Sequence, residues 1–284
     1  MRHPIRIILC VAGFAALSAC EQTKGNEVDR ALRDINVVDE SNLNEVMLQS
    51  SDPAEAVSYF QRATANDPDR IDLMRGLGKS LVRAGRATEA IAAWEQVIAH
   101  ADATNADHVA LAEAHIRNND FARAGAVLDA VPPTFETYDR YRLEAMVADS
   151  EKAWDKADSF YQTAVGLTTK PASVMNNWGY SKLSRGDATG AERLFADAVR
   201  QDPGLFTAKN NLVLARGSQG NYAMPVLPVT QEERAQLLYT LGLSAVKQGD
   251  VAIGRGLLQE AVDTHPQHFD EAVRSLRALE SGAG

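Results

Sequence analysis

The sequence predicts an all-α fold built as a linear array of antiparallel helix pairs. The main observation is a pattern of residues that recurs at close to 34 positions, with small residues at spacings of 7 and 5 and a large apolar residue 4 positions later. The clearest copies are Gly78, Gly85, Ala90 and Trp94; Gly179, Gly186, Ala191 and Phe195; and Gly242, Gly249, Gly254 and Leu258. Small residues let two helices approach closely, and a proline near the end of a copy stops the second helix.

The chain begins with a predicted secretory signal peptide at residues 1–19. Arg2 and Arg6 form a basic segment, residues 7–17 are apolar, and small residues precede Cys20. The apolar stretch is too short to span a bilayer as a permanent helix. The run LSAC, which ends at Cys20, resembles the lipobox of bacterial lipoproteins. This resemblance implies cleavage before Cys20 and a lipid on its thiol, whereas an ordinary signal peptide or a short anchor is the alternative.

The charge of the chain limits its partners. The formal net charge is −9, and loss of residues 1–19, with Arg2 and Arg6, makes it −11. Such an acidic chain is not expected to bind nucleic acid, which requires clustered Lys and Arg.

Residues 20–35 are polar and charged and are predicted to form a flexible tether to the lipid. In bacterial lipoproteins an aspartate after the cysteine favours the inner membrane, so Glu21 implies the outer membrane, facing the periplasm.

The repeat register divides the rest of the chain into an array at residues 36–221, a break at 222–232, and a last repeat with a capping helix at 233–284. Pro225 and Pro228 forbid a normal second helix in the sixth repeat, so we expect an extended or broken segment and a division of the array there. The repeat starts are placed near Val37, Ile71, Asn105, Tyr138, Ala172, Phe206 and Ala235.

These repeats resemble the tetratricopeptide repeat, which implies a right-handed superhelical solenoid. In that family the first helices line a concave surface that holds a peptide or a partner helix. On these helices the candidate partner-binding residues are two asparagine pairs one repeat apart, a nearby tyrosine, and a basic stripe. They are Asn176, Asn177, Tyr180, Asn210, Asn211, Arg75, Lys79 and Arg83.

The asparagines carry most of this prediction. Peptide-binding members of the repeat family often use an asparagine at the sixth place of a repeat, and Asn177 and Asn211 match it. The alternative is that the asparagines join neighbouring helices, and that the basic stripe is an ordinary solvated helix face. The basic residues with which some members bind a terminal carboxylate are not reproduced at matching places.

No catalytic, cofactor-binding or metal-binding pattern is found in the sequence. His108 and His115 lie seven residues apart, which is too far for a zinc pair on one helix, and GxSxG and P-loop motifs do not occur. We therefore predict a binding protein without a cofactor or a metal ion, and not an enzyme.

A narrower resemblance rests on four segments: NVVDESNLNEVMLQSSDPAEAVSYFQRATANDPDR, LMRGLGKSLVRAGRATEAI, VMNNWGYSKLSRGDATGAERLFADAVRQDPG and KNNLVLARGSQGNY. They look like the tetratricopeptide lipoprotein of the tight-adherence (Tad/Flp) pilus assembly system, the TadD family. Membership would imply a scaffold that assists pilus assembly, with a secretin or another assembly component as its partner, as a pilotin does. A repeat lipoprotein for outer-membrane barrel assembly, a type IV pilotin, and a subunit of an envelope enzyme are the alternatives.

Overall fold

The computed structural model describes residues 43–49 and 52–281, and within them fourteen α-helices and no strand. The predicted signal peptide, Cys20, the tether and the repeat start at Val37 lie outside the described residues. The described chain forms two compact units, which meet in sequence between Asn118 and Asn119. The first contains α1 (43–49), α2 (Pro53–Asn66), α3 (Ile71–Arg83), α4 (Ala87–Ile98) and α5 (Asn105–Arg117). The second contains α6 (Phe121–Asp129), α7 (Tyr138–Ser150), α8 (Trp154–Gly166), α9 (Ala172–Ser184), α10 (Ala188–Gln201), α11 (Phe206–Ser218), α12 (Gln231–Gln248), α13 (Val251–Thr264) and α14 (Asp270–Ser281).

The predicted repeat register is visible in the helix starts. Five predicted starts are the first residues of helices: Ile71, Asn105, Tyr138, Ala172 and Phe206. The last, Ala235, lies one turn inside α12, because Thr230 caps that helix earlier. The Thr230 hydroxyl accepts from the Glu233 N–H, and the Glu233 carboxylate accepts from the Thr230 N–H, both at 3.1 Å.

The fifteenth place of each described repeat ends the first helix in a left-handed conformation. Glycine occupies it in four repeats, with φ between 71° and 93°, at Gly85, Gly186, Gly220 and Gly249. Asn119 and Lys152 adopt the same conformation, at φ 60° and 58°. The turn is therefore retained in the fourth repeat although lysine replaces the glycine, at a cost of about 1–2 kcal/mol.

Within a pair, the large residue at the twenty-fourth place packs against the small residue at the eighth. A methyl carbon added to Gly78 would lie 2.6 Å from the Trp94 ring, and one added to Gly179 would lie 2.7 Å from the Phe195 ring. Trp94 and Phe195 are buried. The close helix contact that the sequence predicts is confirmed, and a larger residue at either glycine would force the facing ring to move.

The proline segment, residues 221–230, contains no helix and lies within the second compact unit. The partly buried Met224, Leu227 and Val229 pack against the core of the neighbouring helices, while Val226 is exposed. The segment therefore replaces the missing second helix in the core. The buried Lys209 of α11 holds it, because its ammonium donates to the Pro228 carbonyl (2.7 Å) and to Glu233 (3.0 Å).

The last helix covers the end of the second unit. Phe269, just before α14, and Ala272 in it are buried against Ala235, Leu238 and Ala261 of α12 and α13. This is the position that the sequence assigned to a capping helix. None of the helices in the described ranges combines the length and the apolar character that crossing a bilayer requires.

Candidate partner-binding face

The first helices α9, α11 and α12 are joined by a ladder of two side-chain hydrogen bonds. The Asn211 amide donates to the Asn176 oxygen (3.0 Å), and the Thr240 hydroxyl donates to the Asn210 oxygen (2.7 Å). In both cases the fifth place of one repeat accepts from the sixth place of the next. Asn176, Asn210 and Asn211 thus connect neighbouring helices, which is the alternative that the sequence left open. Asn211 pairs with Asn176 instead of stacking beside Asn177.

A row of partly exposed, uncharged residues runs beside this ladder. Tyr180, Leu214 and Leu243 each lie one helical turn after a rung, on the same helix face. Tyr180 is 60% exposed and Leu243 41%, and Leu214 is half-buried. Asn177 precedes Tyr180 by one turn and, among the described residues, has no hydrogen-bond partner for its half-buried amide. We call Asn177, Tyr180, Leu214 and Leu243 the neutral row.

Sequence reasoning named Asn177 and Tyr180 but missed the two leucines. Leu214 and Leu243 occupy the ninth place of their repeats, as Tyr180 does, so the repeat register itself was the signal. In the first unit the same place holds the charged Lys79 and Glu113. An apolar residue at this place is therefore a feature of the second unit, where α7 also carries the half-buried Met146 at its ninth place.

The predicted basic stripe on α3 is not a continuous charged surface. The Arg75 guanidinium donates two hydrogen bonds of 2.8 Å to the Asp107 carboxylate of α5, whose side chain is only 5% exposed. Arg83 donates to the carbonyl oxygens of Met47 and Leu48 and so binds the end of α1. Lys79 is exposed between them. Arg75 and Arg83 thus hold helices together.

Burial and hydrogen bonding change the pKa of the Asp107 carboxyl group in opposite directions. Burial alone would raise the pKa of its carboxyl group, but the hydrogen bonds from Arg75 and Thr104 outweigh burial and lower the pKa below its ordinary value. The ion pair with Arg75 is therefore formed at neutral pH.

Two aspartates of the second unit bind the helices α7, α8 and α9 to each other. Asp149 accepts from the hydroxyls of Tyr161 (2.8 Å) and Ser181 (2.6 Å), and burial raises the pKa of its carboxyl group against these hydrogen bonds. Burial would also raise the pKa of Asp158, but hydrogen bonds from its neighbours lower it overall. These neighbours are Lys182, Trp178 and Arg185.

The repeat assignment is supported by family models. Models described as tetratricopeptide repeat match residues 47–106, 81–147 and 236–268. The sequence matches none of the curated proteins with which it was compared. The matched family is typically a non-catalytic scaffold for protein–protein interaction, and no enzymatic family is indicated.

Solved structures of low sequence identity share the fold. A chain of the APC/C hetero-tetramer Cut9–Hcn1 is 12% identical with a TM-score of 0.60, over 83% of this chain and 48% of that one. The human IFIT1 dimer with PPP-AAAA is 16% identical with a TM-score of 0.56, over 80% and 59%. A thermophilic TPR protein of Thermus thermophilus is 18% identical with a TM-score of 0.51, over 57% and 90%. The chain thus spans about half the length of the first of these chains and under two thirds of the second.

The family models and the solved structures agree with the fold described above. The all-α array of helix pairs predicted from the sequence is confirmed, with the small residues, the left-handed turns and the buried large residues at their repeat positions. Such repeats form surfaces for binding other proteins. Residues 47–147 and 236–268 of this chain are tetratricopeptide repeats.

Proposed function

We propose that this protein is a lipid-anchored interaction scaffold of the outer membrane, facing the periplasm, that assists assembly of a Tad/Flp pilus secretion machinery. Its partner is a secretin subunit or another assembly component, which it holds as a pilotin does. The observation that carries the scaffold function is the neutral row, where tetratricopeptide first helices leave large apolar side chains in solvent. Exposed apolar side chains grouped on one face are typical of sites that bind proteins.

The anchor and the location rest on the sequence. The run LSAC ends at Cys20, which supports lipidation at that thiol, and Glu21 supports the outer membrane. The pilus system is supported by the likeness of the quoted segments to the TadD family. A repeat lipoprotein of outer-membrane barrel assembly would share the anchor and the repeats, so the experiment must separate the two systems.

The test compares three strains of a bacterium that makes the protein: a deletion strain, a Cys20→Ser strain, and a Cys10→Ser control. Cys10 lies in the predicted signal peptide, so Cys10→Ser should be processed and lipidated like the wild type. Cys20→Ser should accumulate as unprocessed precursor without lipid. Both the deletion and Cys20→Ser should reduce the pilus secretin multimers in outer-membrane fractions, measured by immunoblot.

Two results would contradict the proposal. Secretin multimers at the wild-type level in the deletion strain would reject the role in pilus assembly, and a simultaneous loss of outer-membrane barrel proteins would assign the chain to that system instead. Normal processing and membrane retention of Cys20→Ser through high-salt washing would reject the lipid anchor.

A further inference from the structure

The surface around the neutral row carries no free charge on α9 and α11. These two helices contain three charged residues, all cations, and each is held by a carboxylate of another element. Lys182 pairs with Asp158, Lys209 with Glu233 and Arg216 with Glu192. On α12 the uncharged surface continues to Leu243, and the exposed Lys247 follows one turn later.

This neutrality is unusual for the chain, which carries 29 basic and 38 acidic residues. A charged side chain of a partner would lose its hydration at the neutral row and would find no counter-ion there. Burial of an unpaired charge costs several kcal/mol, whereas an apolar side chain placed over Tyr180 or Leu243 gains from the removal of apolar surface from water.

The amide of Asn177 adds a polar contact that fits a polypeptide backbone. The equivalent sixth-place residues, Asn211 and Thr240, donate to the preceding repeat, whereas Asn177 has no such bond among the described residues. Its amide offers both a donor and an acceptor, which a backbone C=O and N–H can satisfy together. Tyr180, one turn away, supplies apolar area and a phenol group beside the same position.

We infer that the neutral row binds an uncharged polypeptide segment, which places apolar side chains on Tyr180, Leu214 and Leu243 and a backbone amide on Asn177. This inference rests on the proposed scaffold function and gives the chemistry of the partner segment. Charge complementarity identifies this occupant: α9 and α11 offer no unpaired cation for an acidic segment or a terminal carboxylate and no carboxylate for a basic segment. The exposed Lys247 of α12 lies beyond Leu243, at the end of the row.

The test is a selection of peptides from a displayed library of random 12-residue sequences. The full chain in lipid nanodiscs is the target, and empty nanodiscs are the background. Enriched peptides should be depleted in Asp, Glu, Lys and Arg relative to the library and enriched in apolar residues. Their synthetic copies are then titrated against the wild type and three variants by fluorescence anisotropy.

Tyr180→Asp places a charge in the neutral row and should weaken binding of these peptides by about tenfold or more. Ile253→Asp is the matched control, because Ile253 is 49% exposed on the second helix α13, outside the row. It should bind within about twofold of the wild type, since it alters no residue of the row. Asn177→Ala breaks no side-chain hydrogen bond within the described chain, so it tests the row even if Tyr180→Asp fails to fold.

The inference is overturned if no peptide is enriched, if the enriched peptides are rich in charged residues, or if both row variants bind them like the wild type. It is also overturned if the wild-type chain forms a crosslinked dimer that Tyr180→Asp abolishes, because the row is then an interface between copies. The strain experiment separates this failure from a failure of the proposed function. If deletion removes the secretin multimers but the library yields no uncharged peptides, the scaffold function is supported and only the inference about the partner segment is rejected.

Discussion

At the scale of single residues, the charges of α3 differ sharply in what they contact. Arg75 forms a bidentate ion pair with the buried Asp107, which also accepts from the Thr104 N–H and hydroxyl. Lys79, one turn further along the same helix, is exposed. A buried carboxylate that loses its cation keeps its desolvation cost without compensation. The two cations should therefore contribute very differently to stability.

Arg75→Ala is expected to lower the free energy of unfolding by about 3 kcal/mol, because Asp107 would remain buried without its ion pair. Lys79→Ala is the control on the same helix and should change it by no more than about 0.5 kcal/mol. Urea unfolding followed by circular dichroism measures both. Equal losses for the two variants would mean that the ion pair does not stabilise the first unit.

At the scale of helices, the pair α12 and α13 depends on glycine where the backbones meet. A methyl carbon on Gly254 would lie 2.9 Å from the Gly242 carbonyl oxygen and 3.1 Å from the Val246 nitrogen, so backbone would have to move. Gly256, two residues along α13, is exposed and has nothing within 4 Å of such a carbon. Alanine substitutions at these two glycines of α13 therefore measure two effects separately: close packing at Gly254 and backbone entropy at Gly256.

Gly254→Ala should destabilise the protein by about 1–3 kcal/mol through overpacking. Gly256→Ala should stabilise it by about 0.5–1 kcal/mol, because alanine loses less conformational freedom than glycine in a helix. Thermal unfolding monitored at 222 nm by circular dichroism gives the sign of each change. A stabilising Gly254→Ala would show that α12 and α13 are not in close contact at this position.

At the scale of the whole molecule, the response to acid is the sum over carboxylates that titrate differently in the folded and unfolded chain. Asp158 has a lowered pKa in the folded state, so its contribution to stability is present above the unfolded pKa and is lost as the pH falls through the folded one. Asp149 has a raised pKa, so its contribution is present at low pH and is lost as the pH rises through the folded value.

Two isosteric variants should therefore change the loss of stability at acid pH in opposite directions. Between about pH 5 and pH 2, the loss of stability on acidification should be smaller than in the wild type for Asp158→Asn and larger for Asp149→Asn. The measurement is the midpoint of urea unfolding as a function of pH, compared by slope because both variants also change the stability at neutral pH. If the midpoint of unfolding changes with pH equally in the wild type and in both variants, the assigned directions of the two pKa shifts are contradicted.

The sequence by itself determined the helix pairs and their register, because both depend on local residue types that recur. Ile71, Asn105, Tyr138, Ala172 and Phe206 begin helices where the repeat spacing places them. Helical periodicity is a property of one segment, and a small residue that faces a large residue of the paired helix recurs in the copies, as glycine at Gly78, Gly179 and Gly242 and as alanine at Ala145. The two prolines likewise indicated the missing helix before α12.

Only the tertiary structure decided which side chains meet between repeats. One residue along a helix turns the side chain by about 100°, so the repeat spacing could not distinguish Asn176 from Asn177 as the partner of Asn211. Arg75 pairs with Asp107, thirty-two residues later in the chain, because α3 packs on α5. The prolines predicted an extended segment, but the apolar surface of the neighbouring helices decided that Leu227 would pack, partly buried, against the core. Contacts between repeats depend on how neighbouring helices are rotated and translated, and that geometry arises from the packing of the whole array.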